Sequence, residues 1–201
     1  MLTKAEKKAM GKLVAKRNDH IKSSFLWENI EFGIYLLLMV VIAFSIRTAV
    51  LEPWRVRGSS MEATLLPGDY MLIEKVSYIF DPMDRGDVVV CYYPNNDEYT
   101  CVKRIIGLSG DTVQIQQGRV SVNGTPIEEP YVVTGMTPKH DGTYIVEEGC
   151  VFVMGDNRLV SRDSTNGMVG SSPRERVIGR VSGVVLPISR AKVIYGMDYG
   201  L

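Results

Sequence analysis

Tyr99-Thr-Cys-Val-Lys-Arg-Ile-Ile-Gly-Leu-Ser-Gly-Asp111 decides how this chain is read. At a period of two, Cys101, Lys103 and Ile105 share one face of a strand, while Val102, Arg104 and Ile106 share the other. Working outward, similar runs occur at Tyr70–Val76, Asp87–Tyr93, Thr112–Gln116, Arg119–Val122, Val151–Met154 and Val177–Leu186, parted by Gly, Pro and Asn. Short strands at this spacing predict a mainly β domain. Asn123-Gly124 is the strongest hairpin signal, and a type I′ turn is a sufficient explanation for its Asn-Gly-Thr spelling. The Gly-, Thr- and charge-rich stretch from Val133 to Gly149 reads as an inserted loop or β-excursion.

The first fifty residues are of another kind. Lys4, Lys7, Lys8, Lys12, Lys16, Arg17 and Lys22 crowd against only Glu6, Asp19 and Glu28, which predicts a cytoplasmic basic tail over residues 1–29. From Phe32 to Ile46 no residue is charged, and with Arg47 snorkelling the apolar stretch reaches Leu51. Residues 30–51 are therefore predicted to be one transmembrane helix, bracketed by the only tryptophans, Trp27 and Trp54. Residues 52–201 would form an extracytoplasmic catalytic domain anchored in the lipid bilayer. A net charge of zero says little beside this uneven distribution, and no nucleic-acid partner is expected.

Lys103 carries the chemistry. A strand can tuck its amine among apolar neighbours, where loss of water disfavours the ammonium. Such an amine can take a proton from a serine. The serine is Ser60, in the small-residue turn Val56-Arg-Gly-Ser-Ser-Met61 between the apolar span and the first strand. Histidine is a poor rival base: His20 lies in the charged tail and His140 in a loop without an Asp or Ser pattern. Ser with Lys is the surviving pair. The Ser60 N–H supplies one oxyanion donor, and the small residues Gly58 and Ser59 let a substrate backbone approach. Cys91, Cys101 and Cys150 make no Cys-x-x-Cys pair, so no metal is expected, and no cofactor. Cys91 and Cys101 face each other across a hairpin, either as a disulfide or with Cys101 as a small apolar pocket residue.

These segments, joined by Gly155-Asp-Asn-Arg-Leu-Val-Ser-Arg-Asp-Ser164, resemble the type I signal peptidases, bacterial serine proteases that remove signal peptides from exported proteins. The matching blocks come in the family's order over most of the chain: Gly58–Met61, Gly68-Asp69, Arg85–Val88, Lys103–Leu108, Gly110-Asp111 and Gly155–Ser164. The resemblance implies a partly barrel-shaped β catalytic fold, a Ser60–Lys103 dyad, and preproteins with signal peptides as partners of a monomeric enzyme. It implies that Ser161 holds the lysine amine, that Asp156 pairs with Arg104, and that Asp163 is a structural acid. It also implies a pocket for small side chains lined by Val56, Met61, Leu65, Cys101 and Val102. Departures are Ala63 and Ser109 where the family commonly has proline, and Thr165 where it places the arginine partner of Asp163. Gly58 stands where some relatives carry a hydroxyl donor.

Other readings are weaker. Ser189-Arg-Ala-Lys192 has the Ser-x-x-Lys form of penicillin-interacting enzymes but lacks their companion motifs. A self-cleaving repressor would need a DNA-binding domain where this chain has its apolar span. The alternative from a different class is a specialised or non-catalytic paralogue acting in surface-protein or pilus assembly, in which the catalytic pair tends to be lost.

Overall fold

The computed structural model describes residues 4–201 except 77, 79–81, 94–95, 134–139 and 167–169. The chain divides into two units, Met1–Thr48 and Ala49–Leu201.

The first unit is one helix, α1 (Lys4–Val50), whose described side chains are all exposed. It differs from the predicted transmembrane segment at both ends. Helix runs through the basic tail from Lys4, and Leu51 belongs to a strand. Among the described residues no helix is long and apolar enough to cross a membrane. The uncharged stretch of this helix runs from Phe32 to Ile46, between Glu31 and Arg47, which is short of the about 20 residues a bilayer needs.

The second unit is built from β1 (Leu51–Arg55), β2 (Tyr70–Glu74), β3 (Val88–Tyr93), β4 (Asn96–Gly107), β5 (Thr112–Gln116), β6 (Arg119–Val122), β7 (Thr125–Pro126), β8 (Gly142–Ile145), β9 (Cys150–Met154), β10 (Ser172–Pro173), β11 (Val177–Leu186) and β12 (Lys192–Val193). The larger sheet runs β1-β2-β11-β3-β4-β9-β10, with β12 on β11, and the smaller runs β7-β6-β5-β8. Adjacent strands are antiparallel. The expected partial barrel does not close, because β1 and β10 remain the two ends of an open order. Each end strand contains a proline, Pro53 or Pro173, which has no N–H to offer a further strand.

In the smaller sheet, Asn123 and Gly124 both have positive φ, 53° and 83°, as a type I′ hairpin requires. Gln117 and Gly118, at 50° and 79°, make a second such turn between β5 and β6. Val113, Ile115, Val120, Val122, Val146 and Phe152 fill the core here. A separate core lies under the Ser60 turn, where Val56, Met61, Leu65, Met71, Ile73 and Val181 pack together. That core makes the turn a rigid platform rather than a loose connection.

Candidate active site

The Ser60 turn is pinned at its base. Val56 N–H donates to Asp69 O at 2.8 Å, and Gly68 N–H returns to Val56 O at 2.9 Å. The Asp69 carboxylate accepts from Leu66 N–H at 2.9 Å and from Arg190 at 2.8 and 2.6 Å. Within the turn, Leu65 N–H and Thr64 N–H both donate to Met61 O, at 2.8 and 2.9 Å. Met61 and Leu65 are sealed in the core below, while Ser60 is half-buried at the surface.

Lys103 comes from β4, with Val89 opposite on β3. Its side chain is 3% exposed, and among the described residues no carboxylate or other acceptor pairs with it. Arg104, on the other face, has its guanidinium bound at 3.0 and 2.8 Å by the two carboxylate oxygens of Asp156, and it donates to Gly86 O at 2.7 Å. Burial opposes this charge, but the Asp156 carboxylate outweighs burial and holds Arg104 above its ordinary range. Thr64 Oγ1 also donates to Asp156, tying the Ser60 turn to the same pair.

The segment after β9 wraps the back of the Ser60 turn. Asn157 N–H donates to Ser60 O at 3.0 Å, and Asn157 Nδ2 to Ser59 O at 3.1 Å. Gly155 is packed so closely that an added Cβ would sit 2.5 Å from Ser60 O and 2.6 Å from Ser161 Cβ. The Ser161 hydroxyl therefore lies beside the Ser60 backbone, yet its Oγ is buried with no hydrogen-bond partner among the described residues, so the expected bond to the lysine amine is not formed. Asp163, lacking an arginine, instead accepts Gly155 N–H at 2.9 Å and the Thr165 hydroxyl at 2.7 Å. Thr165 thus takes a share of the missing partner's role.

Ser60 and Lys103 line the same cleft of about 800 Å³. Gly58, Ser59, Val56, Met61, Cys101 and Val102 line it too. Leu65 does not: it is fully buried in the core beneath the turn, because the hydrogen bond from Leu65 N–H to Met61 O carries it inward. Pro53, Trp54, Met71, Val90 and Val160 add to the apolar wall, and Met71 and Val90 did not stand out in the sequence because each belongs to an ordinary apolar run. Also unforeseen is the cover over Arg104. The Tyr131 ring stacks 3.9 Å from the guanidinium carbon, and its hydroxyl meets Tyr199 at 2.6 Å. Cys91 and Cys101 are directly paired across β3 and β4 as free thiols with sulfurs 3.3 Å apart.

The family described as signal peptidase, peptidase S26, matches residues 29–186, which takes in every residue lining the cleft. Signal peptidase I of Leptolyngbya laminosa is 38% identical over 76% of this chain and 77% of its own length. The proteins of the same name from Bacillus licheniformis and Bacillus amyloliquefaciens are 36% and 37% identical, covering 78% and 83% of this chain and each 88% of the relative. A match over more than half the chain, with relatives of this identity and coverage, means that the chain belongs to the signal peptidase family, peptidase S26.

Proposed function

We propose that this peptidase removes signal peptides from exported preproteins with Ser60 as nucleophile and Lys103 as general base. The observation that carries the reading is the shared cleft: a half-buried serine on a braced turn and a buried lysine without a counter-ion open onto one space. Lys103 takes the Ser60 hydroxyl proton as Oγ attacks the scissile carbonyl carbon, then returns it to the departing amine. Water repeats the cycle on the acyl-enzyme. Among the described residues the Ser60 N–H has no acceptor, which leaves it available to the developing oxyanion. The Gly58 side faces open space, so a substrate backbone can approach there. Val56, Met61, Cys101 and Val102 shape a wall suited to a small side chain before the cut.

The helix serves as the anchor. Its described residues from Phe32 to Phe44 expose a nearly continuous apolar surface, which water disfavours and lipid accepts. The uncharged sequence continues to Ile46 and, past Arg47, to Leu51, giving a single-pass span with the basic end in the cytoplasm and the β unit outside. A preprotein with Ala before the cut, incubated with the purified full chain in detergent, tests the activity. Cleavage after Ala by wild type and by Ser189→Ala, with Ser60→Ala at least a thousandfold slower, is expected. Ser60→Ala turning over like wild type would overturn the nucleophile, and no cleavage by wild type would favour the non-catalytic alternative. Resistance of the membrane-bound chain to alkaline extraction is expected of a spanning helix, and release into the supernatant would contradict the anchor.

A further inference from the structure

Cys91 and Cys101 take no part in the peptide chemistry, yet their placement is specific. They are direct register partners, both thiols are free, and their sulfurs stand 3.3 Å apart. Directly opposed residues of antiparallel strands hold their Cα atoms about 4.5–5.5 Å apart, inside the roughly 4.4–6.8 Å that disulfides span. Bond formation therefore needs the sulfurs to close and not the strands to move. The two thiols also differ in access. Cys91 is sealed at 1% exposure, whereas Cys101 opens into the substrate cleft on the Lys103 face of β4. Their hydrogen bond separates them further: it pulls the Cys101 thiol below its ordinary range despite burial, and pushes the Cys91 thiol up.

We propose that Cys91 and Cys101 form a dithiol–disulfide exchange site in the wall of the substrate cleft, with Cys101 as the attacking sulfur and Cys91 as the resolving one. The oxidant is a small disulfide. Cys101 thiolate attacks one of its sulfurs, forming a mixed disulfide and expelling one thiol. Cys91 then attacks Cys101 Sγ, breaks the mixed bond and releases the second thiol. Two protein thiols lose two electrons and two protons, the small disulfide gains them, and both protons leave on the released thiols. A bulky thiol left on Cys101 would stand in the cleft beside Lys103. Resolution by Cys91 replaces it with a bond flush with the sheet, so the buried thiol keeps the cleft clear.

The experiment treats the full chain in detergent with oxidised glutathione, blocks remaining thiols, maps peptides by mass, and assays preprotein cleavage in the same samples. The cleavage readout rests on the Ser60–Lys103 reading; the mass readout does not. Wild type is expected to show a Cys91–Cys101 linkage without retained glutathione, reversed by reductant. Cys91→Ala is expected to hold glutathione on Cys101 and to lose at least tenfold in cleavage until reductant restores it. Cys101→Ala is expected to leave Cys91 unmodified. Wild type that stays reduced, retains glutathione on Cys101, or links either cysteine to Cys150 would overturn the exchange site. A Cys101 adduct that leaves cleavage unchanged would overturn its place in the substrate cleft. A normal linkage in a protein that cleaves no preprotein would overturn the peptidase reading and leave the exchange site standing.

Discussion

Arg104 is only 3% exposed and Asp156 is fully buried, and each makes the other tolerable. Removing one partner strands the other charge away from water, a loss of about 3–5 kcal/mol. Thermal unfolding of Asp156→Ala should show a destabilisation of that size, and Arg104→Met added to it should recover part of the loss. An unchanged melting temperature in Asp156→Ala would mean the pair is not buried as described. The opposite facing of Lys103 and Arg104 follows from strand alternation alone and was legible in the sequence. The Tyr131–Tyr199 cover was not, because those tyrosines are 68 positions apart and only the folded chain brings their hydroxyls together. Ala63 is a second case. It sits at φ 99°, a region a Cβ resists and a proline ring cannot reach. Ala63→Gly should therefore raise stability by about 1 kcal/mol and Ala63→Pro should lower it, as read from denaturant midpoints.

The elements that make the site are one turn, one strand and one wrapping segment, and the turn meets the wrapping segment at Gly155. Its missing side chain leaves room for the Ser60 carbonyl and the Ser161 side chain. Gly155→Ala would push the Ser60 turn out of place, so cleavage should fall at least a hundredfold while the secondary structure seen by circular dichroism is kept. Full activity in that variant would show that the close packing does not set the position of Ser60. Strands with strong alternation, such as Thr112–Gln116, Arg119–Val122 and Val177–Leu186, were legible to the residue. β1 was hidden because Leu51-Glu-Pro-Trp-Arg carries a proline and follows directly on an apolar helix. The Gln117-Gly118 turn was hidden for a different reason: glutamine rarely takes a positive φ, and only the paired strands on either side hold it there.

At the scale of the β unit, Asp111 links the two sheets. Its carboxylate accepts from Arg85 at 2.8 Å twice, from Leu108 N–H at 2.7 Å and from Asn123 at 2.8 Å. Burial alone would raise its pKa, but the Arg85 hydrogen bond and the two further donors prevail and hold it below the usual carboxylate range. A carboxyl depressed by folding stabilises fully above its unfolded pKa, about 3.9, and loses that stabilisation as pH falls through its lower folded value. Asp111→Asn should therefore unfold at a lower temperature than wild type at pH 7, with the difference shrinking below about pH 4. A difference that grew on acidification would reverse the sign of this argument. The mainly β architecture was legible from periodicity, whereas the open order of the larger sheet depends on the pairing of distant strands, which local pattern does not encode.

The account as a whole turns on the Lys103 amine acting on Ser60. Lys103→Met keeps the apolar stem packed in β4 while deleting the amine, so a change in rate is separated from a change in fold. Single-turnover cleavage of an Ala-containing preprotein by the full chain in detergent is the measurement. The account predicts a loss of at least about a hundredfold with an unchanged melting temperature. Cleavage by Lys103→Met at the wild-type rate, with Ser60 still required, would contradict it.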